Sequence, residues 1–103
     1  RRPGAASNGE EDSALLGRYV RGGDCEAFEE LVRRYAPMVT GVCGRSRLQP
    51  HDAEDVLQAT FLALARKAGT IRGEGRVGAW LYRVACRAAG AARGRAAGAA
   101  AGA

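Results

Sequence analysis

The chain has 103 residues, with 16 Lys and Arg against 11 Asp and Glu, a formal charge of +5. That length accommodates one domain and is too short for a large enzyme with a deep cleft. No run of about 18 apolar residues is free of charge, which argues against a membrane span, and the polar start Arg1-Arg2-Pro3-Gly4 has no apolar stretch behind it to act as a secretory signal.

Charge is uneven along the chain. Residues 1–65 carry 8 basic and 10 acidic side chains. Residues 66–103 carry Arg66, Lys67, Arg72, Arg76, Arg83, Arg87, Arg93 and Arg95 against Glu74 alone. A basic half of this kind points to phosphate, and the asymmetry points to two partners of opposite sign. Cys25, Cys43 and Cys86 form no C-x-x-C pair, and their odd number argues against a disulfide framework. They read as small, reduced, half-buried thiols of a cytosolic protein.

Residues 1–11 lack periodicity and are expected to be disordered. A first helix follows, capped at Asp12 or Ser13, with Leu15, Leu16, Tyr19 and Val20 on one face and Gly22-Gly23 as its stop. Asp24 caps the second helix, and Glu26 complements its positive end. Phe28, Leu31, Val32, Tyr35, Val39 and Val42 give that helix a regular apolar stripe. Pro37 removes one of its backbone donors, and Gly44 is a plausible stop.

Pro50-His51-Asp52 precedes the third helix, with Asp52 as its expected N-cap and Glu54 and Asp55 on its first turn. Leu57, Phe61, Leu64 and Ala68 form its apolar stripe, while Asp55, Gln58 and Leu62 share a separate face one turn apart. After Gly69 and a short connection, the fourth helix buries Val77, Trp80, Leu81, Val84, Ala85 and Ala88. Arg83 and Arg87 share a stripe beside Trp80, and Tyr82 lies on the opposite side. Residues 88–103 hold ten Ala, four Gly and two Arg, so the helix is expected to fray beyond Ala92 into a loose tail. The reading is all-α: a bundle of about four helices over 12–95, between a disordered segment at 1–11 and a low-complexity tail at 96–103.

Catalytic patterns are missing. The sequence has no phosphate-binding Gly-rich loop and no H-E-x-x-H. His51, placed in a loop before the third helix, has no nucleophile that a helix would bring near it. Asp52, Glu54 and Asp55 lack metal-loop spacing and already suit a helix start. Neither an enzyme activity, nor a metal, nor a cofactor is expected.

Three segments carry a family resemblance. Gly23-Asp24-Cys25-Glu26-Ala27-Phe28-Glu29-Glu30-Leu31, followed by Arg34-Tyr35-Ala36-Pro37, resembles the opening of region 2 in bacterial sigma factors. Asp52-Ala53-Glu54-Asp55-Val56-Leu57-Gln58-Ala59-Thr60-Phe61 resembles the D-A-E-D segment of the extracytoplasmic-function group of the sigma-70 family. Ala79-Trp80-Leu81-Tyr82-Arg83-Val84-Ala85 resembles that family's promoter-recognition helix.

The resemblance implies a cytoplasmic bacterial transcription-initiation module with two faces. Asp52, Glu54, Asp55, Gln58 and Leu62 would meet the β′ clamp helices of core RNA polymerase. Arg72, Arg76, Tyr82, Arg83, Arg87, Arg93 and Arg95 would meet promoter DNA, chiefly the non-template strand of the −10 element. In the family, the connection before this helix helps to hold a flipped-out base. The usual pattern has Asn where this chain has Arg87, and Asp near Ala91, a departure that bears on base-specific readout more than on fold. The family's −35-reading domain is not expected in these residues. Two other readings stand beside this one: an interaction module that binds polymerase or an anti-sigma protein without reading DNA, and a generic basic helical DNA binder.

Overall fold

A computed structural model describes residues 11–71 and 75–102, with residues 99–102 as backbone only. The expectation of disorder over 1–11 falls outside the described residues except at Glu11, which is the N-cap of the first helix and whose carbonyl accepts from the Leu15 N–H; the role of Arg72 lies outside them too. Four helices follow one another: α1 Asp12–Gly22, α2 Cys25–Arg45, α3 Pro50–Lys67 and α4 Arg76–Gly102. One 3-10 turn, Ala68–Thr70, extends the end of α3. Every element among the described residues is helical, so the chain folds as a small all-α bundle.

The helix ends follow local chemistry. Gly23 adopts φ 63°, and its N–H reaches Tyr19 while that of Asp24 reaches Arg18. This closes α1 with a left-handed residue that glycine alone adopts without a Cβ penalty. Asp24 then starts α2: its Oδ1 accepts from the N–H groups of Glu26 and Ala27 at 3.1 and 3.2 Å. Its Oδ2 accepts from the Arg18 guanidinium at 2.8 Å. The Arg18 hydrogen bond comes first among the contacts that hold the Asp24 carboxyl below its ordinary range.

Several expected ends differ. Asp12 is the first helical residue of α1, not its cap, because its carboxylate is drawn across to Arg34 and Tyr35 on α2. Asp52 does not cap α3 either. Pro50 occupies the first turn, where its fixed φ suits a helix start, and this moves the cap back to Gln49. His51 therefore sits in the first turn of α3 rather than in a loop. Gly44 does not end α2, which runs on to Arg45. The helix α4 continues past Ala92 to Gly102. Adding a residue to a formed helix is far easier than starting one, and the Ala content outweighs the interspersed Gly.

The core collects one face of each helix. Leu15 and Leu16 come from α1, Leu31, Val39 and Val42 from α2, and Val56, Phe61 and Leu64 from α3. From α4 come Val77, Leu81, Ala85, Ala89 and Ala92, almost all one turn apart. The alanines let α4 lie close to the helices it crosses, since interaxial distance follows side-chain size. Trp80 packs partly buried against this core, as its stripe position predicts. Thr60 is fully buried, and its hydroxyl donates to the Val56 carbonyl at 2.7 Å, which meets the need of a buried polar group for a partner. Cys43 is buried and its thiol is raised by burial, whereas Cys25 and Cys86 are exposed rather than half-buried; all three are free.

Candidate functional site

The helix α3 points three side chains directly outward. At 100° per residue, Asp55, Gln58 and Leu62 fall within one narrow arc opposite Val56, Thr60 and Leu64. All three are exposed, and Leu62 keeps 54% of its surface open, the most of any large apolar side chain described. Arg66, one turn beyond Leu62, extends the same stripe. Sequence reading passed over it, although its i+4 spacing from Leu62 was visible.

The other two acids of α3 diverge. Asp52 turns toward α4 and lines a shallow cleft of about 220 Å³ with Arg47, Gln49 and Arg93. It stands 3.5 Å from the His51 ring. Glu54 turns toward α2 and borders an open groove with Thr40, Pro50 and Leu57. The structure therefore groups Asp55, Gln58 and Leu62, and sets Asp52 and Glu54 on either side of them.

Along α4, Arg76, Arg83 and Arg87 project from one stripe and are all exposed. They span about 16 Å of helix axis. Tyr82 flanks them, 46% exposed, on the side away from Trp80. Arg93 and Arg95 are exposed as well, but they leave the stripe on opposite edges. Among the described residues no ion pair engages Arg76, Arg83, Arg87, Arg93 or Arg95. Three arginines of α1 and α2 behave differently, Arg18 pairing with Asp24 at 2.8 Å. Arg34 bridges Asp12 and Glu30, and Arg33 binds Glu30 at 2.8 Å. A guanidinium without a carboxylate keeps its donor fork available for phosphate.

A groove of about 240 Å³ opens where α1, the 3-10 turn and the start of α4 meet. Leu16, Val20, Ala68, Ile71 and Val77 give it apolar walls, and Arg21 stands at its edge. Among the described residues no group of His, Cys, Asp and Glu side chains is arranged to hold a metal ion. No described helix is long and apolar enough to cross a membrane.

Comparison with known proteins adds a family. The sigma-70 region 2 model matches residues 31–96, which takes in most of α2, all of α3 and α4 as far as Ala96. The chain is 37% identical over 80 residues to the RNA polymerase sigma-H factor of Pseudomonas aeruginosa, covering 78% of this chain and 41% of the relative. It is 40% identical over 78 residues to the ECF RNA polymerase sigma-E factor of Haemophilus influenzae, covering 76% and 40%. It is 42% identical over 69 residues to the RNA polymerase sigma factor CarQ of Myxococcus xanthus, covering 67% and 40%. The chain thus spans about two fifths of the length of these relatives. No solved structure matches.

Proposed function

This chain belongs to the extracytoplasmic-function group of the sigma-70 family, matching it through region 2, and we propose that it is a non-enzymatic transcription-initiation module that joins core RNA polymerase to the promoter −10 element. One observation carries the reading: a carboxylate, an amide and an exposed leucine share the outward stripe of α3, on a helix packed directly against the one bearing the arginine stripe. The module would work in the cytoplasm of a bacterium, with residues 12–95 as its working unit.

In this reading Asp55, Gln58 and Leu62 meet the β′ clamp helices. An apolar anchor ringed by polar groups suits a protein interface, because the anchor supplies buried area while the rim supplies register. Asp52 and Glu54 border the contact. An anti-sigma protein would compete for the same stripe.

Arg76, Arg83 and Arg87 then take phosphates of the non-template strand, and Arg72, Arg93 and Arg95 are the further phosphate contacts. Unstacking duplex DNA costs about 1.4 kcal/mol per step. A protein that consumes no nucleotide can offset this only by binding the opened strand more tightly than the duplex. Cations for phosphates and an aromatic face for an unstacked base are the means available, and Tyr82 is the exposed aromatic of α4. The groove beside Ile71 and Val77 adjoins the connection to which the family resemblance gives the flipped base.

The test is binding to purified bacterial core polymerase in competition with a known sigma factor, followed by titration with a single-stranded −10-like oligonucleotide. Displacement with oligonucleotide binding is the expected result. Displacement without oligonucleotide binding would reduce the chain to a polymerase-binding interaction module, a reading to which Arg87 in place of the usual Asn lends weight. Duplex binding without displacement would leave a generic basic DNA binder.

A further inference from the structure

Three helices converge on Tyr35. Its hydroxyl donates to Asp12 Oδ2 at the start of α1. Asp12 Oδ1 accepts from Arg34 at 3.0 Å, Arg34 reaches Glu30 at 3.2 Å, and Glu30 also accepts from Arg33. The phenol tip is thus tied into a charge network that joins α1 to α2. On its other side the ring meets α4 at Gly78. A Cβ built on Gly78 would stand 3.1 Å from Tyr35 Cε1, 3.1 Å from its hydroxyl and 3.4 Å from Cζ. The phenol therefore rests against the backbone of α4 two residues after Arg76 and two before Trp80.

We propose that Asp12 and Tyr35 form a positioning strut that sets where the first turns of α4 stand relative to α1 and α2, and so aims Arg76 and Arg83 at the opened DNA strand. The DNA half of this statement rests on the function proposed above; the placement of α4 does not. The strut touches no part of the α3 stripe. Its lever is steric: interiors are close-packed, so a shift of the phenol tip moves the backbone lying on it. Gly78 is part of the device, because its missing side chain is what allows the contact. Burial first, then the Asp12 carboxylate, pushes the Tyr35 hydroxyl up to about 12, so it stays a donor even where an ordinary tyrosine ionises.

The test uses Tyr35→Phe and Gly78→Ala in the full chain. Phe removes the tie to Asp12 and keeps the ring. Gly→Ala inside a helix ordinarily stabilises it, so any other outcome for Gly78→Ala reports the contact with Tyr35. Trp80 is the single tryptophan of the chain, and its emission reads the placement of α4 with no DNA present. Both variants are expected to keep wild-type helicity and polymerase binding, to shift Trp80 emission, and to weaken binding of a single-stranded −10-like oligonucleotide about threefold to tenfold. A merely structural role would lower polymerase and oligonucleotide binding together, in proportion to the folded fraction. Unchanged Trp80 emission in both variants overturns the strut. A shifted emission in a protein whose wild type binds no oligonucleotide keeps the strut and overturns the DNA-binding function instead.

Discussion

Replacing Gln58 and Leu62 by alanine removes the centre of the α3 stripe without touching the core. Fully burying a leucine side chain is worth about 1.5–3 kcal/mol. Leu62 holds 54% of its surface open in the free chain, so a partner that covers it gains about half of that. Alanine retains part of this area, and the truncation costs about 1 kcal/mol of binding. The Gln58 amide contributes one neutral hydrogen bond to the rim, about 1 kcal/mol more. The double variant should therefore bind core polymerase roughly thirtyfold more weakly, with some non-additivity because the two residues are one turn apart. Folding should hardly respond, since substitutions at exposed positions away from caps and ion pairs stay within about 0.5 kcal/mol. Competition fluorescence anisotropy against a labelled sigma factor measures the first quantity and thermal melting by circular dichroism the second. Equal competition by wild type and double variant, at equal helicity, would refute the assignment of this face.

Four other outcomes are expected. Arg83→Ala with Arg87→Ala should weaken single-strand binding and flatten the slope of log affinity against log salt by about 0.7 for each lost phosphate contact; an unaltered slope in a salt titration would show that these side chains do not meet phosphate. Tyr35 holds its proton up to about 12 in the fold, above the ordinary tyrosine value near 10, so its contribution to stability is complete below about pH 10 and is lost as pH rises toward about 12. Melting temperatures across that window should fall less steeply for Tyr35→Phe than for the wild type. The Arg33 hydrogen bond, assisted by Arg34 against the burial of the group, holds the Glu30 carboxyl below its ordinary range; its contribution is present above about pH 4.5 and fades as pH falls, so Glu30→Gln should blunt acid destabilisation in an acid titration followed by circular dichroism. Ala85→Leu should overpack the close approach of α4 to the core, where Ala85 has no exposed surface, at a loss of about 1–3 kcal/mol by chemical denaturation.

The two stripes were legible in the sequence because each lies on a single helix. A period of 3.6 residues fixes which side chains share a face, and Asp55, Gln58 and Leu62 satisfy it without reference to any other element. The same arithmetic put Trp80 against the core and Tyr82 outside it. The divergence of Asp52 and Glu54 was less visible, since acids in a first turn look alike until neighbouring helices occupy the space beside them. Helix ends were misplaced where two acceptable residues competed. Pro50 and Asp52 both suit the start of α3, and the fixed φ of proline decided it. The Asp12–Tyr35–Gly78 contact could not be read at all. It joins residues far apart in the chain, and no periodicity encodes how α1 crosses α2 or how near α4 comes to Tyr35.

If the proposed module acts by binding alone, it acts through geometry, and the packing of α3 against α4 supplies that geometry. The two stripes sit on helices packed against each other, whose buried faces, with Leu64, Leu81, Ala85 and Ala89, share one core. Neither stripe can turn about its own axis without pulling those side chains out of the core. In the proposed function, polymerase held on α3 would therefore fix the direction in which the α4 arginines face. Attraction to phosphate alone would stabilise duplex and opened strand alike, and equal affinity for two states shifts nothing between them. On that proposal, what would separate the states is where the cations stand relative to the displaced strand once α3 is docked. This is why the small residues of α4 matter as much as its charges. An arginine stripe on a loosely packed helix would bind DNA yet favour neither form, whereas alanines that seat the helix against its neighbours would convert the same charge into a preference for the open strand.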